Sequence, residues 1–171
     1  CGLTTVEAGL AAIDAGSDFL GFVFVPNTRR YLEVDAAARL IEQLRSARDE
    51  LPRLVGLFVN APIETVRATV DRCGLDLVQL CGDESVEYCQ QVGVPVIRML
   101  RPRGPADIDR FVEFAPHVEH LLFDTFHEGV PGGSGRTGDW GLAGEVARRY
   151  PVLLAGGLRP DNVEAAIAAV R

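Results

Sequence analysis

Asp124 is the residue whose type and position most clearly suggest chemistry, because it directly follows the apolar run Leu121–Phe123. Such a run is typical of a buried strand, and the next residue lies where that strand ends beside the apolar interior. Partial burial favours the protonated form of a carboxyl group, so Asp124 is a candidate proton donor. The ordinary alternative is that Asp124 only caps a turn.

Two glycine clusters further along the chain could hold an anion. They are Gly132, Gly133, Ser134 and Gly135, and then Gly156 and Gly157. Glycines let backbone N–H groups approach a ligand closely, and loops late in a βα-barrel often hold a phosphate in this way. Either cluster could instead be a flexible turn, so neither predicts a ligand by itself.

Arg30 is a candidate for binding a carboxylate. Its planar guanidinium presents several donors, and it precedes Tyr31, an aromatic residue that could help to support a ring. A surface ion pair is the ordinary interpretation of Arg30, just as a small buried apolar residue is the ordinary interpretation of Cys1.

The cysteines and histidines do not predict a metal site. None of the four cysteines forms a CxxC pair, and the three histidines crowd around one predicted strand. A metal cluster at several strand ends, as a sugar-phosphate epimerase would typically need, cannot be assembled from these histidines. Reduced thiols in a cytoplasmic protein are the simplest interpretation of the cysteines.

The composition favours one compact domain and excludes several classes of partner. Of the 171 residues, 47% are hydrophobic, and the net charge of −7 arises from acidic and basic residues mixed along the chain. A nucleic-acid partner is not expected, since clustered Lys and Arg are lacking. No apolar run approaches the roughly 20 residues that span a bilayer, and no signal peptide is recognisable, so we expect no membrane partner.

Six apolar strands are predicted to alternate with seven helices, which is typical of an α/β protein with a helix-covered parallel sheet. The predicted strands are Phe19–Phe24, Leu54–Val59, Leu75–Leu80, Pro95–Leu100, Val118–Phe123 and Val152–Ala155. The predicted helices contain Val6–Ile13, Ala37–Leu44, Ile63–Cys73, Ser85–Val92, Pro105–Phe114, Trp140–Tyr150 and Asn162–Val170. Evenly sized units favour a (β/α)₈ TIM barrel over an open doubly wound sheet, with residues 1–171 in a single domain.

Seven segments, in this order and spacing, resemble the phosphoribosylanthranilate isomerase family of tryptophan biosynthesis. They are Cys1–Thr4, Gly21–Pro26 with Arg30-Tyr31, Gly56–Asn60, Val78–Glu84, Leu121–Asp124, Gly132–Trp140 and Leu154–Val163. Several independent motifs along almost the whole chain make this resemblance far more specific than any single glycine motif.

The resemblance implies an Amadori rearrangement of N-(5′-phosphoribosyl)anthranilate without cofactor or metal. Asp124 would be the general acid that opens the furanose ring, and Cys1 the general base that removes the C2′ proton. Arg30 would bind the anthranilate carboxylate. The Gly132–Gly135 loop would close over the phosphorylated substrate, and Gly156 and Gly157 would contribute to the phosphate site. The full-length protein is expected to be a monomer or a homodimer.

Three departures from the family pattern leave alternatives open. Cys81 stands where His is common, and Arg159 stands where Ser commonly caps the last helix. The family also has a strand before Cys1 and a final strand and helix beyond Arg171, so we expect the barrel in this chain to be incomplete at both ends. An inactive or binding-only relative, or another sugar-phosphate isomerase or epimerase, is the alternative function.

Overall fold

The computed structural model describes residues 1–102, 104–124 and 140–170. They belong to two compact units, Cys1–Val96 and Ile97–Arg171. In the described residues, six strands alternate with seven α-helices, as the sequence predicts, and two short 3₁₀-helices are also present. The α/β class is therefore confirmed.

The elements have the following bounds. The strands are β1 (Phe19–Val23), β2 (Arg53–Phe58), β3 (Leu77–Leu80), β4 (Val96–Leu100), β5 (His120–Phe123) and β6 (Val152–Leu154). The α-helices are α1 (Val6–Asp14), α2 (Val34–Ala47), α3 (Ile63–Cys73), α4 (Val86–Gln91), α5 (Ile108–Phe114), α6 (Trp140–Ala147) and α7 (Val163–Val170).

The first unit contains a parallel sheet in which β2 lies between β1 and β3. The register pairs Gly21 with Val55 and pairs Gly56 with Val78. Apolar side chains from the strands and from α2 and α3 fill its core, and the rings of Phe24 and Phe58 stack with centroids 5.3 Å apart. Burial on both faces explains why these strands, apart from Arg53 and Gln79, are apolar runs rather than alternating ones.

Local chemistry fixes where the helices of this unit begin and end. The Thr5 hydroxyl accepts a hydrogen bond from the Ala8 N–H at 3.2 Å, which caps the start of α1. Gly16 follows the end of α1 with a φ of 75°, as its position in the sequence predicts. Gly74 ends α3 in the same left-handed region, at a φ of 60°.

The second unit contains β4, β5 and β6, which are parallel and follow the chain order. Ile97 pairs with His120, and Leu121 pairs with Val152. Helices α6 and α7 approach each other so closely that a Cβ added at Gly144 would lie 2.8 Å from the Ala169 carbonyl oxygen. Glycine at position 144 therefore permits this helix contact.

Candidate active site

Asp124 lies directly after β5, as the sequence predicts. Its backbone N–H donates to the Leu100 carbonyl at 3.1 Å and so extends the ladder between β4 and β5 by one residue. Only 8% of the residue is exposed. Its carboxylate Oδ2 accepts a hydrogen bond from Arg101 Nε at 3.0 Å. Asp124 is therefore a largely buried acid with a charged partner.

Strand alternation shows on which face of the sheet Asp124 lies. Arg98 and Leu121 are paired in the register, and the Arg98 guanidinium lies 4.9 Å from the ring centroid of Phe114 in α5. Because side chains alternate between faces, a position three residues beyond either member of this pair lies on the opposite face. Asp124 and Arg101 therefore share the face that points away from α5.

Arg101 is not among the site residues predicted from the sequence. It directly follows the apolar run of β4, just as Asp124 follows that of β5. This shared position at a strand end was the sequence feature that could have identified Arg101 as a site residue. The register that places these two residues side by side is a tertiary feature that one strand pattern alone does not give.

Cys1 is fastened to β1 at Gly21. The N–H groups of Gly2 and Leu3 both donate to the Gly21 carbonyl, at 2.8 and 3.0 Å. A Cβ added at Gly21 would lie 3.0 Å from Cys1 Cα and 3.1 Å from Cys1 Sγ. The absence of a side chain at Gly21 therefore makes room for the thiol, while Cys1 itself is exposed.

Arg30 lies beside the same segment. Its Nη1 donates to the Cys1 carbonyl at 3.2 Å, and a Cβ added at Gly2 would lie only 2.4 Å from Arg30 Cδ. Gly2 also has a φ of 78°, which side chains disfavour. The structure thus brings together Cys1 and Arg30, which are 29 positions apart in the sequence.

Gly156 and Gly157 form the turn after β6. Both are in the left-handed region, with φ values of 87° and 65°. The Asn162 side chain holds this turn from both sides: its Nδ2 donates to the Gly157 carbonyl at 2.9 Å, and its Oδ1 accepts from the Arg159 N–H at 2.7 Å. Asn162 is not among the predicted site residues, although it belongs to the same Leu154–Val163 motif.

The remaining glycine cluster lies outside the described residues. This applies to Gly132, Gly133, Ser134 and Gly135. Their predicted role in closing over a substrate remains a prediction.

Glu84 joins the segments that follow β2 and β3. Its two carboxylate oxygens accept hydrogen bonds from the Asn60 N–H at 2.7 Å and the Gly82 N–H at 2.8 Å. Asn60, at a φ of 48°, in turn accepts from the Asp83 N–H through Oδ1 at 2.7 Å. This buried carboxylate was also missed, since sequence spacing does not show which backbone groups it meets.

None of the four cysteines, all of which lie in the described part of the chain, forms a disulfide bond. Cys81 Sγ accepts a hydrogen bond from Gln79 Nε2 at 3.2 Å. Burial raises the pKa of the Cys73 thiol, and its Sγ donates to the Val34 carbonyl at 3.5 Å. Cys73 is therefore a structural thiol rather than a nucleophile.

Two features are lacking from the part of the chain that the structure describes. No group of three or more His, Cys, Asp and Glu side chains is arranged to hold a metal ion. None of the described helices has the length and apolar character needed to cross a bilayer.

Comparison with known proteins relates this chain to one enzyme family. The family model for N-(5′-phosphoribosyl)anthranilate (PRA) isomerase matches residues 1–171. The chain is 42% identical over 170 residues to N-(5′-phosphoribosyl)anthranilate isomerase of Citrifermentans bemidjiense, covering 99% of this chain and 80% of the relative. It is 45% identical over 174 residues to the Myxococcus xanthus enzyme, covering 100% and 80%.

Solved structures agree on the fold. The phosphoribosyl anthranilate isomerase of Thermotoga maritima matches with a TM-score of 0.89 at 33% identity, covering 100% of this chain and 82% of that one. A phosphoribosyl anthranilate isomerase in complex with reduced 1-(o-carboxyphenylamino)-1-deoxyribulose 5-phosphate matches with a TM-score of 0.84 at 30% identity, covering 100% and 80%. The parallel strands alternating with helices match the (β/α)₈-barrel fold of this family rather than an open doubly wound sheet. The chain belongs to the N-(5′-phosphoribosyl)anthranilate isomerase family.

Proposed function

We propose that Asp124 and Cys1 divide the acid–base chemistry of the isomerisation that this chain catalyses as a member of its family. The reaction converts N-(5′-phosphoribosyl)anthranilate into 1-(2-carboxyphenylamino)-1-deoxyribulose 5-phosphate in tryptophan biosynthesis. The observation that carries the assignment is the position of Asp124, a largely buried acid at the end of β5 on the sheet face away from α5.

Asp124 acts first, as the general acid. Its carboxyl proton passes to the furanose ring oxygen, and the bond between that oxygen and C1′ breaks with its electron pair going to the oxygen. The lone pair of the anthranilate nitrogen forms a double bond to C1′, which gives an iminium ion. Asp124 is left as a carboxylate, which its partner Arg101 stabilises.

Cys1 acts next, as the general base. Its thiolate takes the proton from C2′, the C–H electron pair forms a double bond between C1′ and C2′, and the C=N pair returns to nitrogen. The resulting enol gains a proton at C1′ and loses one from its hydroxyl group, which gives the ketone product. Exchange with water then restores the thiolate of Cys1 and the proton of Asp124.

Arg30 binds the anthranilate carboxylate in this proposal. Its hydrogen bond to the Cys1 carbonyl uses Nη1 and ties the guanidinium to the segment that carries the base. The planar fork of an arginine has further donors that suit a carboxylate. In this proposal, carboxylate recognition lies directly beside proton abstraction.

The turn of Gly156 and Gly157 contributes to the phosphate site. Left-handed glycines expose backbone N–H groups at close range, and α7 begins six residues after Gly157, at Val163. The hydrogen bonds of Asn162 keep that turn in shape. Gly132, Gly133, Ser134 and Gly135 are proposed, from the motif alone, to cover the bound substrate.

The protein is proposed to be a monomer or a homodimer. A matching structure from Thermotoga maritima is of mutually generated monomers of a dimeric phosphoribosylanthranilate isomerase, and it supports this proposal. The molar mass in solution tests this assignment. The cytoplasmic location expected from the sequence remains a prediction.

The base role is tested by replacing Cys1 with Ser, whose hydroxyl group is a much weaker acid than a thiol. We expect turnover to fall by roughly 10²-fold or more, because general-base catalysis contributes about that factor. With substrate deuterated at C2′, the isotope effect on turnover should rise, since proton removal becomes the slowest step. Cys73→Ser, at a buried thiol in α3, is the matched control and should retain turnover. Normal turnover in Cys1→Ser would remove Cys1 from the base role.

A further inference from the structure

We propose that Arg101 is a positioning residue for Asp124. Arg101 holds one oxygen of the Asp124 carboxyl group, so that the other oxygen carries the transferable proton. This inference rests on the proposed acid role of Asp124. It assigns to Arg101 an action through Asp124 rather than through contact with the substrate. The observation behind it is the hydrogen bond of 3.0 Å between Arg101 Nε and Asp124 Oδ2.

The backbone fixes this pair in place. Leu100 and Phe123 are partners in the parallel register of β4 and β5. The hydrogen bond from the Asp124 N–H to the Leu100 carbonyl carries the ladder one step further, so Arg101 and Asp124 occupy neighbouring positions on one face. An arginine at position 101 thus reaches the acid without any loop rearrangement.

The burial of the acid distinguishes this pair from ordinary surface ion pairs. The Asp124 side chain is 11% exposed. In three other Arg–Asp pairs of the described residues, the aspartates Asp14, Asp35 and Asp161 are 59%, 67% and 71% exposed. Surface ion pairs have a small interaction energy because water screens both charges. A carboxylate shielded from water interacts more strongly with its charged partner.

The geometry leaves the two carboxyl oxygens of Asp124 with different tasks. Nε of Arg101 can only donate, so Oδ2 must act as an acceptor and the proton belongs on Oδ1. A carboxyl group free to rotate would present its proton in several directions. Arg101 therefore limits the rotation of the Asp124 carboxyl group, so that less orientational freedom is lost when the proton is transferred.

The charge of Arg101 also acts more strongly late in the step than early. The guanidinium attracts a carboxylate more than a neutral carboxyl group, so its attraction grows as the proton leaves Oδ1. An interaction that is stronger in the transition state than in the bound substrate raises turnover rather than affinity. Loss of Arg101 should therefore lower kcat and leave KM nearly unchanged.

The test compares Arg101→Met, which keeps the stem and removes the charge, with Arg101→Lys and with Arg48→Met. Arg48 forms the exposed pair with Asp14 and serves as the matched control. We expect kcat to fall by about 10- to 100-fold in Arg101→Met, as for loss of a hydrogen bond to a charged group. The kcat of Arg101→Lys should lie between those of Arg101→Met and the wild type. Arg48→Met should retain full kcat.

Combining the substitution with Asp124→Asn separates positioning from substrate binding. If Arg101 acts through Asp124, adding Arg101→Met to Asp124→Asn should cost less than a further twofold in kcat, because the two effects are not independent. Millimolar guanidinium should also restore part of the kcat of Arg101→Met while Asp124 is present, and none in the double variant.

Three results would overturn the inference in distinguishable ways. Normal kcat in Arg101→Met, with a strongly impaired Asp124→Asn, would refute the role of Arg101 and leave the proposed function intact. If Arg101→Met raised KM equally in the wild type and in Asp124→Asn, Arg101 would be a substrate-binding residue. Normal kcat in Asp124→Asn would refute the acid role, and the positioning role would fall with it.

Discussion

The guanidinium of Arg30 donates a hydrogen bond to the backbone carbonyl of Cys1, at 3.2 Å from Nη1 to oxygen. The same arginine packs its stem over Gly2, where a Cβ would lie 2.4 Å from Cδ. A group suited to a carboxylate is thereby tied to the residue proposed to remove the C2′ proton. In the proposed function, this contact couples substrate recognition to base placement through one short segment of backbone.

Replacing Arg30 by Ala should weaken substrate binding by roughly 1.5–3 kcal/mol, the usual range for a hydrogen bond to a charged group. The loss should be much smaller for an analogue without the anthranilate carboxylate, since the lost interaction is specific to that group. Titration calorimetry with both ligands measures the difference. Arg29→Ala, at the exposed neighbouring position, is the matched control. An unchanged preference for the carboxylate in Arg30→Ala would make Arg30 an ordinary surface residue.

Gly21→Ala should lower turnover by displacing Cys1. The added Cβ would lie 3.1 Å from Sγ and 3.0 Å from Cα of Cys1, so the segment must shift by a few tenths of an ångström. Because a displacement of about 1 Å can cost roughly 10²-fold in rate, this smaller shift should cost about tenfold.

The readouts for Gly21→Ala are kcat and the rate at which a thiol reagent alkylates Cys1. Both should change in Gly21→Ala and neither in Gly104→Ala, where an added Cβ meets nothing within 4 Å. Unchanged kcat in a folded Gly21→Ala variant would show that the position of Cys1 does not depend on Gly21.

Much of the fold could be predicted from the sequence, because the strands are mostly apolar runs and the helices carry apolar stripes. Gly16 marked the end of α1, and Asp124 marked the end of β5, since both follow from local backbone and burial rules. These features depend only on neighbours along the chain.

Features that arise between elements could not be predicted in the same way. Arg101 and Glu84 are charged residues whose partners are set by strand register and by the conformation of the turns. The pairing of Cys1 with Arg30 requires β1 to bring two loops together. Sequence patterns indicate which residues face the interior, but they do not give the contacts between distant segments.

Asn162→Ala should weaken phosphate binding without abolishing catalysis. It removes the two hydrogen bonds that hold the turn around Gly157, each worth about 0.5–1.5 kcal/mol. We expect KM to rise by about tenfold and inorganic phosphate to inhibit less strongly, with kcat nearly unchanged. Asp161→Asn is a suitable control because it affects only the exposed pair with Arg159. If phosphate inhibition were the same in Asn162→Ala as in the wild type, the turn would not be part of the phosphate site.

The most direct test of the proposed acid role is the turnover of Asp124→Asn at saturating substrate. Asparagine has nearly the same shape but cannot donate the acid proton, so turnover should fall by roughly 10²-fold or more while substrate affinity is largely kept. Asp109→Asn, at an exposed position in α5, should retain full activity and serves as the control. Near-normal turnover of a folded Asp124→Asn protein would contradict the central claim that Asp124 is the general acid.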